Sequence, residues 1–354
     1  MLSPEPFLIF GAPRSGTSLL SRMLDSHPRL AVPFETHIFR HFGPLLPHYG
    51  DLSQARSRQR LIDDILASPT IRYFDPPLER ERVLAAATAP TFGGVVDAVM
   101  ASWAAQQGKA RWGEKTPMHA FDWPLIRKCF PDARVIHLIR DGRDVAISVK
   151  RARHGPKTIY AAAQQWTGYV AQMGVIRRSI APENLLEVHY EILVRDPQGA
   201  LRTICRFLEE DFSEGMLRFH ERKGRYPTDP VNEANLHRPV LVGNASKWRD
   251  EMSPRDIRIV EAVAGRDLRA LGYPLVGEPR PLSRTEHLFR RYVEHPPRRS
   301  IARLRDRQGQ AERLRLVTLR ARIAARSALH RSRSALRAMA LHFGSLGFVA
   351  PMIG

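Results

Sequence analysis

The first apolar run of the chain, Phe7–Phe10 (FLIF), is short, uninterrupted and ended by Gly11, the pattern of a strand buried on both faces. From Ser18 the spacing changes: Leu19, Leu20, Met23 and Leu24 fall on one helical face and Pro28 lies beyond its end, so the opening reads strand, loop, helix. Ala110–Glu114, Arg134–Ile139 (RVIHLI) and Leu185–His189 (LLEVH) are further buried-strand candidates, each followed by a helical stretch. The part up to about Ala105 is mostly helical, broken by turns at Pro44, Pro47, Pro76 and Pro77. Strands alternating with helices predict an α/β fold in three layers around a central parallel sheet of about four to five strands. From Asp211 to Trp248 the pattern dissolves into loops rich in Gly, Pro and Asn, a common place for binding groups. Beyond Pro281 the composition turns to Arg, Ala and Leu, with Leu304, Leu314, Val317 and Ile323 at helical spacing. The chain therefore divides into a domain over 1–280 and a basic helical appendage over 281–354.

Composition sharpens this division. At 354 residues and 43% hydrophobic, the chain is long and apolar enough for a proper core and is not of the disordered class. Its net charge is +19, but from Arg280 onward there are 17 Arg, no Lys and four acids (Glu286, Glu294, Asp306, Glu312), so +13 belongs to the tail and +6 to the rest. Such a tail suits an anionic membrane surface, a second subunit or packing on the domain, and Phe343, Leu346, Phe348 and Val349 add apolar groups near its end. Specific nucleic-acid binding is not expected. Cys129 and Cys205 lie far apart without a CxxC or Cys/His cluster, which argues against a disulfide framework or a zinc site. The opening MLSPEPFLIF has neither a cation nor a long apolar run, so the expected place is the cytoplasm, with peripheral membrane attachment as an extension of it.

The candidate chemistry begins at the first loop, Gly11-Ala-Pro-Arg-Ser-Gly-Thr-Ser18, where backbone N–H groups and the positive end of a helix converge on an anion. Against the triphosphate-binding pattern G-x4-G-K-[ST], the glycines and Ser18 are in register, but Thr17 stands where the lysine belongs, which weakens a P-loop kinase or NTPase reading. A second polar turn follows Arg134–Ile139: Arg140 ends the strand, Asp141 is placed to cap a helix, and Ser148 lies about two turns inside it. Arg140 and Asp141 as a surface pair is the alternative for this segment. Together the two turns predict a ligand carrying phosphate at both ends.

These residues resemble the sulfotransferases that use 3′-phosphoadenosine-5′-phosphosulfate, most closely the tyrosylprotein sulfotransferase branch and its bacterial relatives, over about Phe7 to Tyr273. The segments that carry the resemblance are GAPRSGTSLLSRMLDSHPRL, AVPFETHIF, WGEKTP, VHYEILVRDP and LVGNASKW. The resemblance implies a P-loop-like fold in which Arg14, Ser15, Gly16, Thr17 and Ser18 hold the 5′-phosphosulfate and Arg140 and Ser148 the 3′-phosphate. It further implies Glu35 as catalytic base, Lys115 as transition-state lysine, Ser246 as hydrogen-bond donor, and Tyr190, Lys247 and Trp248 as cofactor contacts. Adenosine 3′,5′-bisphosphate is the implied product and no metal is implied. In this branch a basic residue supports the cofactor from the helix after Ser148; Ala152 stands there, leaving Arg151 as a loose substitute.

In-line sulfuryl transfer asks for a base on the acceptor hydroxyl and cations on the leaving oxygen, roles that suit Glu35 on one side and Lys115, Arg14 and Ser246 on the other. A first-turn acid is the alternative for Glu35 and a solvated turn lysine for Lys115, while His119 is a rival base. His27 and His189 read as structural. The competing functions are a P-loop kinase-like phosphotransferase and a protein that binds nucleic acid or anionic surfaces through its Arg-rich tail. The acceptor class, whether phenol, sugar, lipid or tyrosine, has no code in the sequence.

Overall fold

The computed structural model of the chain describes residues 5–153, 155–222, 234–278 and 280–345. Five strands, β1 (Phe7–Phe10), β2 (Leu30–Ala31), β3 (Arg111–Glu114), β4 (Arg134–Ile139) and β5 (Leu185–His189), form one parallel sheet in the order β2-β3-β1-β4-β5. The α/β fold expected from the alternating patterns is present. β1 is central because its four residues are apolar and fully buried on both faces. Leu8 and Phe10 enter one core cluster and Phe7 and Ile9 another, so an uninterrupted apolar run suits a strand covered on both sides.

Ten helices up to residue 208 cover the sheet: α1 (Thr17–Asp25), α2 (Ile38–Phe42), α3 (Ala55–Leu66), α4 (Arg80–Ala86), α5 (Phe92–Gln106), α6 (Trp123–Cys129), α7 (Gly142–Arg151), α8 (Ile159–Arg177), α9 (Tyr190–Arg195) and α10 (Pro197–Leu208). Helix starts follow local chemistry: the side chains of Thr91, Asp141, Thr158 and Asp196 each accept from a backbone N–H in the first turn of α5, α7, α8 and α10. α2 to α6 supply the core on one face of the sheet, and α1 and α10 on the other. α7, α8 and the helix Pro254–Ala270 enclose a third cluster beside the β4 end.

The C-terminal extension is helical, with segments His295–Arg305 and Arg307–Ser345, and it docks on the α2–α5 side. Leu319 and Ile323 are buried in that core. Buried Asp64 accepts from Tyr49 Oη at 3.0 Å and pairs with Arg326 and, at 3.4 Å, with Arg322. Glu312 pairs with Arg72 at 3.0 Å and accepts from Tyr73 Oη at 2.9 Å. The helix expected from the apolar spacing is present; within it Ile323 is inward, while Leu314 and Val317 face solvent. Two opposite sides of this helix are apolar, and helical spacing alone does not say which one packs. The side chains of Leu304 and Phe343, and residues Leu346, Phe348 and Val349, lie outside what is described.

Candidate active site

Three neighbouring strands at the middle of the sheet carry the three cations. β1 runs into the loop with Arg14, β3 ends one residue before Lys115, and β4 ends one residue before Arg140. Parallel pairing of β1 with both β3 and β4 puts all three exits on the same edge, where ligands bind in open α/β sheets. The phosphate loop alternates conformation: Arg14 and Gly16 lie at positive φ (75° and 95°). At Gly16 only glycine fits, since a Cβ would stand 2.4 Å from the Tyr190 ring, and at Gly11 it would meet the Leu138 carbonyl at 2.6 Å. The first amides of α1 thereby open toward the loop.

Arg14 and Arg140 are tied together. Arg14 Nε donates to Ser148 Oγ at 2.9 Å, and Arg140 donates to the Arg14 carbonyl at 3.0 Å and to the Asn244 carbonyl. The Arg140 guanidinium lies 4.2 Å from the centroid of the Tyr190 ring, whose hydroxyl accepts from Asn244 Nδ2 at 2.9 Å. Arg140 and Asp141 are not a surface pair: both are buried, and Asp141 caps α7 and pairs with Arg143 at 2.8 Å. Two buried donors in this corner, Ser15 Oγ and Arg140 Nε, have no partner among the described residues, and both residues line one small cavity. Unpaired buried donors are expensive unless a ligand or water meets them.

The late loop is held by Asp144. Its carboxylate accepts from the backbone N–H groups of Ser246 at 2.7 Å and Trp248 at 2.8 Å, which fixes Ser246 at a positive φ of 60°. Burial is the largest influence on Asp144 and raises its pKa, against the lowering effect of Arg140 3.7 Å away. Ser246 and Lys247 are exposed beside this turn. Trp248 is buried in the third core cluster, its ring within 3.7 Å of the Arg143 guanidinium carbon, so it anchors the loop from beneath. Arg151 points elsewhere: it is exposed and paired with Glu251.

On the other side of β1, Lys115 is fully buried and donates to Glu35 at 2.7 Å and to Ser18 Oγ at 3.3 Å. It is not a solvated turn lysine. Glu35 lies outside any helix, with its second carboxylate oxygen 3.4 Å from His37 Nε2. Burial would raise its pKa, but Lys115 and His37 together outweigh that and push it down to about 2. His119 is fully buried and bonded through Nδ1 to Glu114 at 2.9 Å, a carboxylate also bonded to Thr36 and Thr116. Sequence reasoning missed Asn244, Asp144 in its loop-holding role, and His37. His37 alone carried a signal, standing two residues after Glu35 with α2 starting at the next residue.

The sequence model of the sulfotransferase family matches residues 6–214. Among curated relatives, protein-tyrosine sulfotransferase 1 of Danio rerio is 26% identical over 298 residues, covering 78% of this chain and 76% of that protein. Protein-tyrosine sulfotransferase of Drosophila melanogaster is 25% identical, covering 77% of this chain but 52% of its own length, so the chain spans about half of it. Among solved structures, the sulfotransferase domain from the Synechococcus PCC 7002 olefin synthase is 27% identical, with a TM-score of 0.50 over 74% of this chain and 95% of that domain.

Proposed function

Because this chain belongs to the sulfotransferase family, and so is an enzyme that moves a sulfuryl group to a hydroxyl acceptor, we propose that its donor is 3′-phosphoadenosine-5′-phosphosulfate, used without a metal. The observation that carries this reading is the pair of unsatisfied buried donors, Ser15 Oγ and Arg140 Nε, one at each of two adjoining anion-binding turns. Arg14 and residues Ser15 to Ser18 receive the 5′-phosphosulfate; Arg140, Ser148 and Tyr190 hold the far phosphate. Lys247 lies at the rim, and Trp248 acts through the loop it anchors.

Lys115 stands between the phosphate loop and Glu35, within reach of both. As negative charge grows on the leaving oxygen, the ammonium is drawn toward it, and its hold on Glu35 weakens. Burial, the largest influence on Glu35, is then opposed by His37 alone and raises its basicity just when the acceptor proton must leave. The low resting pKa of Glu35 thus describes the enzyme before the donor is bound.

The acceptor is a hydroxyl compound that reaches Glu35 past Phe34, Tyr73 and His37. A reducing cytoplasm fits Cys129 and Cys205, both unpaired and each pushed up to about 11 by burial, which makes them poor thiolates. Isothermal titration with adenosine 3′,5′-bisphosphate in the presence of chelator tests the donor assignment. Tight binding is expected, and absence of heat at high ligand concentration would sink it. A phosphotransferase or a tail-driven binding protein does not account for both anion sites.

A further inference from the structure

The long helix Arg307–Ser345 has two apolar faces where a surface helix needs one. Its inner face, through Leu319 and Ile323, packs on the domain. The opposite face carries Leu314, Val317, Ala321, Ala325 and Leu329 at spacings of three and four, all exposed, with the three large ones at least 61% exposed. Arg315 and Arg320 flank this stripe, one on each side, and both are exposed. Upstream, Leu288, Phe289, Tyr292 and Val293 form another exposed cluster at least 53% open to solvent, beside Arg291. Ile301 adds an eighth; the rest of the described chain exposes six large apolar side chains, scattered from Phe121 to Val276. Solvent does not account for such clustering.

We infer that the outward face of the extension is a docking surface for a bilayer rich in anionic phospholipid. Apolar and aromatic side chains enter the headgroup boundary while arginines at their flanks meet lipid phosphates, the arrangement of an interfacial helix. Arginine stems also lie along apolar surface with their charged ends out, so the two kinds of residue serve one contact. Charge decides against a second copy of the chain: nine arginines and one acid, Glu312, lie between 307 and 345, and Glu312 is committed to Arg72 and Tyr73. Apposing two such faces would set like charges together. Nucleic acid would use the arginines but leave the leucine stripe bare. The inner face stays fixed by Asp64 through Arg322 and Arg326, so docking needs no unfolding of the extension. This inference stands independently of which sulfuryl donor is used.

The test is sedimentation of the full chain with vesicles of phosphatidylcholine alone, or of equal parts phosphatidylcholine and phosphatidylglycerol, with light scattering on the free protein. Strong partition to the anionic vesicles, weakened by salt, and little to the neutral ones is expected. Leu314→Asp with Val317→Asp should lower partition on the order of tenfold. Phe289→Asp with Tyr292→Asp, and Arg315→Glu with Arg320→Glu, should act in the same direction, and adenosine 3′,5′-bisphosphate affinity should be unchanged in all three. No partition by wild-type protein would overturn the inference, as would equal partition by wild type and all three variants. A dimer that Leu314→Asp dissociates would overturn it in favour of a second subunit.

Discussion

The two sides of β1 solve opposite problems. On the β4 side, Arg140, Arg14, Tyr190 and Asn244 are locked together by hydrogen bonds and stacking, yet two buried donors are left over. On the β3 side, the Glu35 carboxylate is held between Lys115 at 2.7 Å and His37 at 3.4 Å. In the proposed reading the first side is built in advance for the donor, and the second is complete at rest and is pulled apart as the donor reacts. A rigid anion site gives binding, whereas an internally paired acid and base give a reaction that waits for the donor.

Removing Lys115 should break this contrast most severely. Lys115→Ala takes away both the cation proposed for the leaving oxygen and the partner of Glu35, and turnover should fall on the order of 10²- to 10³-fold. Its second effect is specific: with only His37 left to oppose burial, Glu35 should titrate higher, so the acid limb of the residual pH–rate profile should move up. An unmoved limb would mean that Lys115 does not hold Glu35 down. Loss of the acid limb in His37→Gln, with Glu35→Gln retaining turnover, would transfer the proton to His37.

Arg140→Ala probes the other side. It deletes a cation that is buried on Tyr190 and hydrogen-bonded to two carbonyls, and the affinity for adenosine 3′,5′-bisphosphate should drop roughly ten- to a hundredfold, as a charged hydrogen bond of about 1.5–3 kcal/mol implies. Turnover at saturating donor should change far less. Equal damage to affinity and turnover would erase the division between a binding side and a reacting side.

Much of this division was legible in the sequence, because it rests on strand ends. Phe7–Phe10, Arg134–Ile139 and Leu185–His189 were bounded correctly: the first two are mostly apolar runs closed by a polar loop, and the third passes directly into a helix. β2 was not legible: Leu30–Ala31 has two residues, and it is a strand only because Arg111 and Trp112 pair with it from far along the chain. Arg14, Lys115 and Arg140 stand out as single cations at the ends of such runs. Asn244 and Asp144 do not, because Asn244 works by holding the Tyr190 hydroxyl and Asp144 by holding the Ser246 backbone, across separations of 54 and 102 residues, and no local pattern encodes that. The Glu35–Lys115 pair was read as two separate roles, and only their proximity shows that Lys115 lowers the pKa of Glu35.

The paired side also makes a stability prediction. Glu35 is depressed in the folded state to about 2, below its unfolded value of about 4.3. Its pairing therefore stabilises the fold fully above that unfolded value, and the contribution is lost as pH falls from about 4.3 through 2. Urea midpoints measured across this window should fall less steeply in Glu35→Gln than in wild type. Identical slopes would show that the carboxylate gains nothing from Lys115 and His37.

The smallest effect is expected at Arg151, and it tests whether the binding side is as closed as it looks. A basic residue near the end of α7 is a natural candidate to extend the phosphate site, yet Arg151 leaves that helix toward solvent. Its side chain is 63% exposed and paired with Glu251, so solvent and salt screen whatever field it sends toward Arg140. Arg151→Ala should leave the affinity for adenosine 3′,5′-bisphosphate within about twofold, the range of a screened surface charge. A tenfold loss in titration would mean that Arg151 exchanges Glu251 for the ligand, and that the edge of this site is assembled on binding.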